Sequence, residues 1–486
     1  MAVQKNLQDI IAHAKEYGFV FPSSEIYDGM GAVYDYGQWG VELKKNIRED
    51  WWRWMTQTNE QNIVGIDAAI FMHPLTWKAS GHVDNFSDPM IDNKDSKKRY
   101  RVDHLIEAHA ESMKAEDGSN PNGEALLAQM DSLLAKDDYE GLRQLIIDQK
   151  ITCAISKTAN WTEVRQFNLM FSTEVGSVAE ETNTIYLRPE TAQGIFVNFL
   201  NVQKTGRMKI PFGIAQTGKA FRNEIVARGF IFRMREFEQM EMQFFVRPGT
   251  QKEWYEYWKA KRMEWHLSIG IPSEKYRYHD HIKLAHYADA ACDIEYDFPM
   301  GFKELEGIHS RTDFDLKNHQ ELSKKKMQYF DADIDPETNK AYGNYIPFVV
   351  ETSIGLDRAF LAVMSEAYTE EDLSTAGKQD SRVVLKFVPK LAPFKLAILP
   401  LMKKDGLPEI AQALYQECKP AFKCFYEEKD AIGKRYRRMD AIGTPFCVTI
   451  DHQTKEDQTV TVRFRDSMEQ KRIPISAVKD LVLQAL

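Results

Sequence analysis

One alternation constrains this chain more than any other feature. From Phe232 to Glu241 the sequence reads Phe-Arg-Met-Arg-Glu-Phe-Glu-Gln-Met-Glu, and polar and apolar residues continue to alternate as far as Phe244. Successive side chains of a strand point to opposite faces. Phe237, Gln239, Glu241 and Gln243 therefore share one face, and Met240, Met242 and Phe244 share the other. The second face suits a core. The first is polar and charged, which an ordinary half-exposed antiparallel strand would also satisfy. A similar segment lies just upstream, Phe221-Arg222-Asn223-Glu224. Arg222 and Glu224 sit two apart, so on a strand they share a face. Two facing strands that both carry Arg and Glu at period two predict the floor of a polar cleft. Ile225–Ile231, with Gly229, reads as the hairpin loop between them.

The chain has 486 residues, enough for about two to four domains. Hydrophobic residues make up 43% and charged residues 28%, a balance that supplies a sizeable core. No apolar run approaches the roughly 18 residues of a membrane span. The N-terminus carries no apolar signal region, so the expected location is the cytoplasm, with no membrane partner. Five scattered cysteines without a C-x-x-C pair point to reduced thiols, and the histidines include no H-E-x-x-H. The net charge of −9 opposes nucleic acid in bulk, so an RNA partner needs a local basic patch.

Along the chain, Gly40–Met55 has Leu43, Ile47, Trp51 and Trp54 at helical spacing, and Asn62–Met72 reads as a strand ending at His73-Pro74. The tryptophans fit a core or a subunit interface. Residues 105 to about 160 change character. Lys114–Glu124 is polar and Glu124–Ile147 is a charged helical stretch, together resembling an insertion. Ser365–Gln379 is acidic and polar, a linker by composition. From about Lys390 the pattern alternates: strand Phe394–Leu401, helix Leu407–Cys418, strand Phe422–Tyr426, helix Asp430–Ile442, strands Phe446–Ile450 and Thr459–Arg465, and a final helix Ile475–Leu486. That predicts a compact α/β domain with a mixed sheet. The expected division is 1–375 with an inserted helical segment at about 105–160, a linker at 376–389, and a C-terminal domain at 390–486.

Tyr345–Thr352 reads as an apolar strand, after which Gly355 opens a helix with Leu356, Phe360, Leu361 and Met364 on its buried side. Arg358 falls in the first turn, where the helix dipole disfavours a cation. It is either a surface arginine or one with an anionic or aromatic partner. In Leu187–Gly194, Pro189 suits a first helical turn and Glu190 favours the helix N-terminus. Neither a P-loop nor a G-x-G-x-x-G fingerprint is present. A polyanion would have to be held by arginine forks on strands.

Phe221-Arg222-Asn223-Glu224 with the following loop and Phe237 resembles motif 2 of class II aminoacyl-tRNA synthetases. Gly355-Leu356-Asp357-Arg358 resembles motif 3, and the segment ending near Pro74 the looser, dimer-forming motif 1. Arg188–Gly194, Phe237–Glu241 and Glu351–Gly355 resemble the homodimeric glycyl-tRNA synthetases, and the tail resembles the class IIa anticodon-binding domain. The resemblance implies an α+β catalytic domain on an antiparallel sheet, followed by the α/β tail. It implies a homodimer that takes glycine, ATP, Mg²⁺ and tRNA(Gly). Glycine's carboxylate attacks the α-phosphorus of ATP, and a 3′-terminal ribose hydroxyl of the tRNA then takes the glycyl group. Positioning and charge stabilisation carry most of such a rate.

By the same resemblance Arg222 and Arg358 are catalytic. The nucleotide falls to Arg222, Asn223, Glu224, Phe232, Arg233, Met234, Arg235, Glu236, Phe237, Glu304, Leu305, Gly355, Leu356, Asp357 and Arg358. Arg222 bridges the α-phosphate and the glycine carboxylate, Glu224 accepts from the adenine amino group, and Phe237 and Arg358 stack on the two adenine faces. Glu304 is the candidate Mg²⁺ ligand. Glycine falls to Arg101, Glu190, Phe237, Glu238, Gln239, Met240, Glu241, Glu351, Thr352, Ser353, Ile354 and Gly355, with Glu190, Glu241, Glu351 and Ser353 as an acidic cage around the ammonium. Val102 stands where the family's R-A-D has alanine. Arg311 falls near the active site. In the tail, Lys434, Arg435, Arg437, Arg438, Arg463 and Arg465 are the basic candidates for tRNA contact. Two other readings fit parts of the pattern: an accessory nucleic-acid-binding subunit without catalysis, and a class II synthetase for another small amino acid.

Overall fold

The alternating run is paired along both of its edges, which makes it a central strand. The computed structural model describes residues 6–115, 119–175, 184–225, 229–281, 284, 287–374, 377 and 379–486. Met1–Ala69, Glu190–Ala220 and Gly229–Leu486 form one unit; Ile70–Pro189 and Phe221–Arg228 form another. In the first unit, helix α1 (Gly40–Arg53) precedes the short strand β1 (Ile63–Gly65). Then come α2 (Ala192–Thr205), β2 (Phe212–Phe221), β3 (Glu236–Val246), α3 (Gln251–Ser268), β4 (Tyr276–Asp280), β5 (Ala290–Phe298), β6 (Gly301–Thr312), α4 (Phe314–Ser323), β7 (Phe348–Gly355) and α5 (Leu356–Ala367). Among the described residues these strands make one seven-stranded sheet in the order β4-β5-β6-β7-β3-β2-β1. β4 to β7 and β3 pair antiparallel, and β1 joins β2 in parallel.

One sheet face carries Met240, Met242, Phe244, Ile308 and Ile354 into a core with Ile47 and Trp51 of α1, Trp258 and Trp265 of α3, and Phe360 and Met364 of α5. Trp51 is fully buried there, while Trp54 is only partly buried. One ion cluster sits inside this core. Arg262 of α3 grips both oxygens of Glu306 of β6, at 2.6 and 3.1 Å, and His266 lies 2.7 Å from the second oxygen. Burial alone would raise the Glu306 carboxyl, but Arg262 and His266 outweigh it and hold it below its ordinary value. Its contribution to stability is therefore present above the unfolded carboxylate range and lost on acidification through the folded value. Glu306→Gln is expected to cost about 3 kcal/mol, the low end for a broken buried pair because the amide oxygen still accepts from Arg262. An unmoved urea midpoint would show that the pair contributes nothing.

Several elements differ from expectation for local reasons. The strand expected over Asn62–Met72 is limited to Ile63–Gly65. Just beyond it, the Ala68 N–H is taken by the Gln216 side chain at 2.9 Å instead of a ladder carbonyl. β2 ends at Phe221, so Arg222 and Glu224 do not share a strand face; the Glu224 N–H turns back to the Arg222 carbonyl at 2.7 Å. Part of the expected hairpin loop, 226–228, lies outside the described residues. α2 starts at Ala192 with Thr191 as its N-cap residue, so Pro189 and Glu190 precede the helix. β7 starts at Phe348, because Pro347 has no N–H to give a ladder, and Tyr345 belongs to the separate strand Lys340–Tyr345. The acidic stretch expected as a linker begins inside α5 and continues into Tyr368–Asp372, which pairs with Ser381–Leu385. Residues 375, 376 and 378 of that stretch lie outside the described residues.

The rest of this unit holds β8 (Leu396–Pro400), α6 (Leu407–Cys418), β9 (Cys424–Tyr426), α7 (Ile432–Ala441), β10 (Phe446–Ile450), β11 (Thr459–Phe464), β12 (Gln470–Pro474) and α8 (Val478–Leu483). The sheet order is β9-β8-β10-β11-β12. β8 pairs in parallel with β9 and β10, and the remaining pairs are antiparallel, so the sheet is mixed as expected. Strand β12 and the short helix His452–Asp457 are additions to the sequence reading.

In the second unit, Arg99–Arg101, Ser87–Asp92 and Arg165–Asn168 form a three-stranded sheet. The helices Val102–Ser112, Pro121–Leu134 and Tyr139–Asp148 close over Ile106, Leu126, Met130, Leu142 and Ile146. The single helical stretch expected over Glu124–Ile147 is thus two helices. Asp138 caps the second by accepting from the Gly141 N–H at 2.8 Å. All five cysteines of the chain are free and buried. No helix among the described residues is long and apolar enough to cross a membrane.

Candidate active site

The polar face of the seven-stranded sheet gathers its charges at β3, β6 and β7. Register places Gln239 opposite Gly355, Glu241 opposite Ser353, and Gln243 opposite Glu351; His309 of β6 also lies opposite Glu351. Gln243 is fully buried, and its amide donates to Glu241 at 2.7 Å and to Glu351 at 2.6 Å. Thr191, before α2, donates its hydroxyl to the other Glu241 oxygen and its N–H to Gln239 at 3.2 Å. Gln239 in turn donates to the Ser353 hydroxyl, also at 3.2 Å.

Arg311, on β6 and buried, holds this group together. It donates to Glu351 at 3.0 Å and to both oxygens of Asp315 at 2.9 and 3.1 Å, with the Tyr287 ring 4.1 Å from its guanidinium. His309 lies 2.8 Å from the remaining Glu351 oxygen. Gln193 donates to Glu190 and to Asp315, each at 3.0 Å. The two central carboxyls are driven apart. Burial, then the Glu351 and Glu190 charges, push Glu241 well above its ordinary value. Burial acts upward on Glu351 too, but Arg311 and His309 outweigh it and hold that carboxyl well below the usual carboxylate range. Four carboxyl groups around one guanidinium, with Glu241 raised, make a site whose full ionisation a further cation favours.

Three nucleotide candidates, Phe232, Glu304 and Arg358, meet at the start of α5. Arg358 donates to the Phe232 carbonyl at 3.3 Å and to the Glu304 carbonyl at 3.0 Å. It lies 3.1 Å from the Glu304 carboxylate and 4.3 Å above the Phe232 ring. The cation in that helical turn thus has both an anionic and an aromatic partner. Arg233 follows Phe232, Arg235 reaches the Gly31 carbonyl at 3.1 Å, and Glu236 pairs with Lys219 at 2.7 Å. Beside them a pocket of about 440 Å³ is lined by Glu304, Asp293, His309, His281, Tyr287 and Ala291, among others.

Strand periodicity removes other candidates from the polar face. Glu238 turns to Arg48 at 3.0 Å and Lys44 at 3.3 Å, and its N–H donates to Asp357 at 2.7 Å. Asp357 accepts from Lys44 at 2.7 Å on the same helical side. The side chains of Met234, Met240, Leu305, Ile354 and Leu356 lie in the core, and Thr352 is fully buried on the same face as Ile354. Phe237 and Gly355 stay partly accessible.

In the second unit, Arg101 donates to Asp88 at 3.0 Å and to Asp103 at 2.6 and 3.1 Å. Burial, opposed by Arg101, leaves Asp88 above its ordinary value, with Asp103 and Glu224 adding to the rise. Arg222 donates to the Pro189 carbonyl at 3.0 Å and lies 5.5 Å from the Phe86 ring. The Asn223 N–H donates to Leu169 at 2.8 Å.

The glycyl-tRNA synthetase insertion domain 1 family matches residues 88–121 and 118–169, and the anticodon binding domain family matches 395–485. A glycine–tRNA ligase of Chlorobaculum tepidum is 52% identical over 99% of this chain and 100% of its own length. The chain belongs to the glycine–tRNA ligase family. Relatives of the same name from Treponema denticola, 51% identical over 96% of the chain, and from Staphylococcus aureus, 50% identical over 98%, extend the match. They cover 94% and 98% of those proteins.

Within this member of the glycine–tRNA ligase family, the sequence reading passed over Thr191, Gln193, His309, Asp315 and Tyr287 as parts of the carboxylate cluster. Gln243 was on the right face, but nothing local marked it as the bridge between two carboxylates. Three tail candidates are corrected. Arg435 is buried on the carbonyls of Pro400, Glu427 and Leu401 at 2.7, 3.0 and 3.2 Å. Arg463 grips Asp440 at 2.8 and 2.9 Å, and Arg465 holds the Gly443 and Phe387 carbonyls at 2.8 and 2.7 Å. Lys434 is exposed, and Arg437 and Arg438 are half-exposed.

Proposed function

We propose that this chain is a glycine–tRNA ligase that activates glycine with ATP and transfers it to the 3′ end of tRNA(Gly), using a class II catalytic domain. The carrying observation is the cluster of Glu190, Glu241 and Glu351 around Arg311. Glycine offers only an ammonium and a carboxylate as handles. Glu351 is already committed to Arg311, His309 and Gln243. Glu241, raised by burial and by its carboxylate neighbours, is the group whose ionisation an ammonium would favour. Glu190 and Ser353 complete the cage.

Adenylation joins a glycine carboxylate oxygen to the α-phosphorus and releases pyrophosphate. Transfer then joins a ribose hydroxyl oxygen to the glycyl carbonyl and releases AMP. Arg358, with Phe232 beside it and Arg233 and Arg235 following Phe232 in sequence, is assigned to the adenine and phosphates, and Arg222 to the α-phosphate. Asn223, Glu224, Glu236 and Phe237 are assigned to the nucleotide by resemblance, and Arg101 to the substrate. Mg²⁺ fits the same side of the sheet. Glu304 and Asp293 line one pocket, and burial together with the Glu304 charge raises the Asp293 carboxyl. Such a pair suits a hard ion that keeps phosphate oxygens among its ligands, and that ion would neutralise charge on the phosphates.

A catalytic domain over 1–375 with its insertion, a linker at 376–389, a C-terminal anticodon-binding domain, a homodimer and a cytoplasmic location complete the reading. Light scattering at twice the chain mass would support the dimer. The deciding experiment is ATP–pyrophosphate exchange with each of the twenty amino acids in turn. Exchange with glycine alone supports the assignment, and exchange with another amino acid overturns the specificity. Glu190→Gln is expected to raise the glycine KM roughly tenfold, with the ATP KM little changed, as for loss of one charge-assisted contact. An unchanged glycine KM would remove Glu190 from the cage.

A further inference from the structure

Gln193 has an orientation that its neighbours dictate. Its side-chain nitrogen faces Glu190 and Asp315, each at 3.0 Å. Ionised carboxylates only accept, so the amide must present its NH₂ to them. That turns Oε1 the other way, where it lies 2.9 Å from Nε2 of His319. An amide oxygen also only accepts, so the imidazole must carry its proton on Nε2. Gln193 is fully buried, and Asp315 and His319 nearly so. Asp315 and His319 sit four apart on α4, on one helix face.

We propose that His319 is a positioning residue for glycine recognition. Its Nε2–H fixes the Gln193 amide, and the amide holds Glu190 in the orientation that receives the ammonium. The proposal rests on the reading of the carboxylate cluster as the glycine site. Without that N–H the amide keeps its NH₂ toward the carboxylates but loses the anchor on its oxygen. The NH₂ is then free to shift, and Glu190 is no longer held in one orientation. The His319 ring borders a different pocket, of about 450 Å³, beside Lys204 and Lys325. From there the His319 side chain meets Gln193, which in turn donates to Glu190.

Three variants test this: His319→Leu, which removes the donor; His319→Asn, whose shorter amide falls short of Gln193; and His319→Gln, whose amide nitrogen reaches about as far as Nε2. Glycine KM, ATP KM and kcat are read by ATP–pyrophosphate exchange, with urea midpoints alongside. His319→Leu and His319→Asn are expected to raise the glycine KM roughly tenfold at a nearly constant ATP KM, the scale of a hydrogen bond to a charged network. His319→Gln is expected to restore most of the loss. A glycine KM unchanged in His319→Asn overturns the proposal. So does a His319→Gln enzyme as impaired as His319→Asn, or glycine and ATP KM rising together. If His319→Leu does not fold, the two amide variants carry the comparison. A wild-type enzyme without glycine-dependent exchange would overturn the functional reading, and this proposal with it. Normal wild-type exchange with an unaffected His319→Asn would overturn the proposal alone.

Discussion

Arg358→Ala is expected to lower glycine-dependent ATP–pyrophosphate exchange by about 10²–10³ in kcat, the scale of removing one donor that stabilises developing charge. The arginine stands in the first turn of α5, where the helix dipole works against a cation, and three contacts keep it there: the Phe232 ring and the carbonyls of Phe232 and Glu304. Those contacts fix a planar fork ahead of the reaction, which is where preorganised charge acts most strongly. The pair with Glu304 is partly solvated, with side-chain exposures of 22% and 52%, so it contributes only about 0–1 kcal/mol to the fold. Activity and stability should therefore separate, and the melting temperature of the variant should stay close to the parent's. Arg358→Lys keeps the charge but not the fork, and should recover only part of the rate. Full exchange in Arg358→Ala would remove the catalytic assignment, and a loss matched by a large fall in melting temperature would assign the residue to folding.

How far the site is legible from sequence depends on the range of the interaction that decides each position. The polar face of β3 is legible because period two separates Gln239, Glu241 and Gln243 from Met240, Met242 and Phe244. The same rule shows why contiguous runs mislead. Within Phe237–Glu241 the side chains of Glu238 and Met240 belong to the helical layer, and within Glu351–Gly355 those of Thr352 and Ile354 do. Arg358 is legible because a cation in a first turn is locally anomalous. Arg463 and Arg465 show the opposite case. Alternation puts them on one face, but their burial is decided by Asp440 and by backbone carbonyls at Gly443 and Phe387, which no local pattern announces. Arg222 and Glu224 failed as strand residues because the ladder stops at Phe221. The His319–Gln193 contact spans 126 residues, and only the tertiary fold could reveal it.

Arg311→Met is expected to cost about 5 kcal/mol at pH 7, the upper end for stripping the partner from buried carboxylates, because one guanidinium here serves both Glu351 and Asp315. The pH dependence of that loss identifies its cause. In the parent, the folded Glu351 carboxyl is held below its unfolded value, so it contributes stability above the unfolded carboxylate range and loses it as pH falls through the folded value. Glu241 runs the other way. Its raised carboxyl contributes most below the unfolded value, and that contribution is lost as pH rises through the folded value. Removing Arg311 takes away the charge that keeps Glu351 low, and burial then pushes Glu351 in the same direction as Glu241. At neutral pH the variant must either ionise several buried carboxyls against one another or hold protons that the unfolded chain would release. Near the unfolded carboxylate range the unfolded chain itself holds about half of these protons, so the difference shrinks. Urea midpoints at pH 7 and near pH 4.5 should therefore show a clearly smaller gap between variant and parent at the lower pH. Arg311→Lys should recover part of the neutral-pH loss, since a point charge can serve only part of what the fork serves. An equal gap at both pH values would mean that the loss is one of packing against Tyr287, and that the guanidinium does not govern the carboxylates around it.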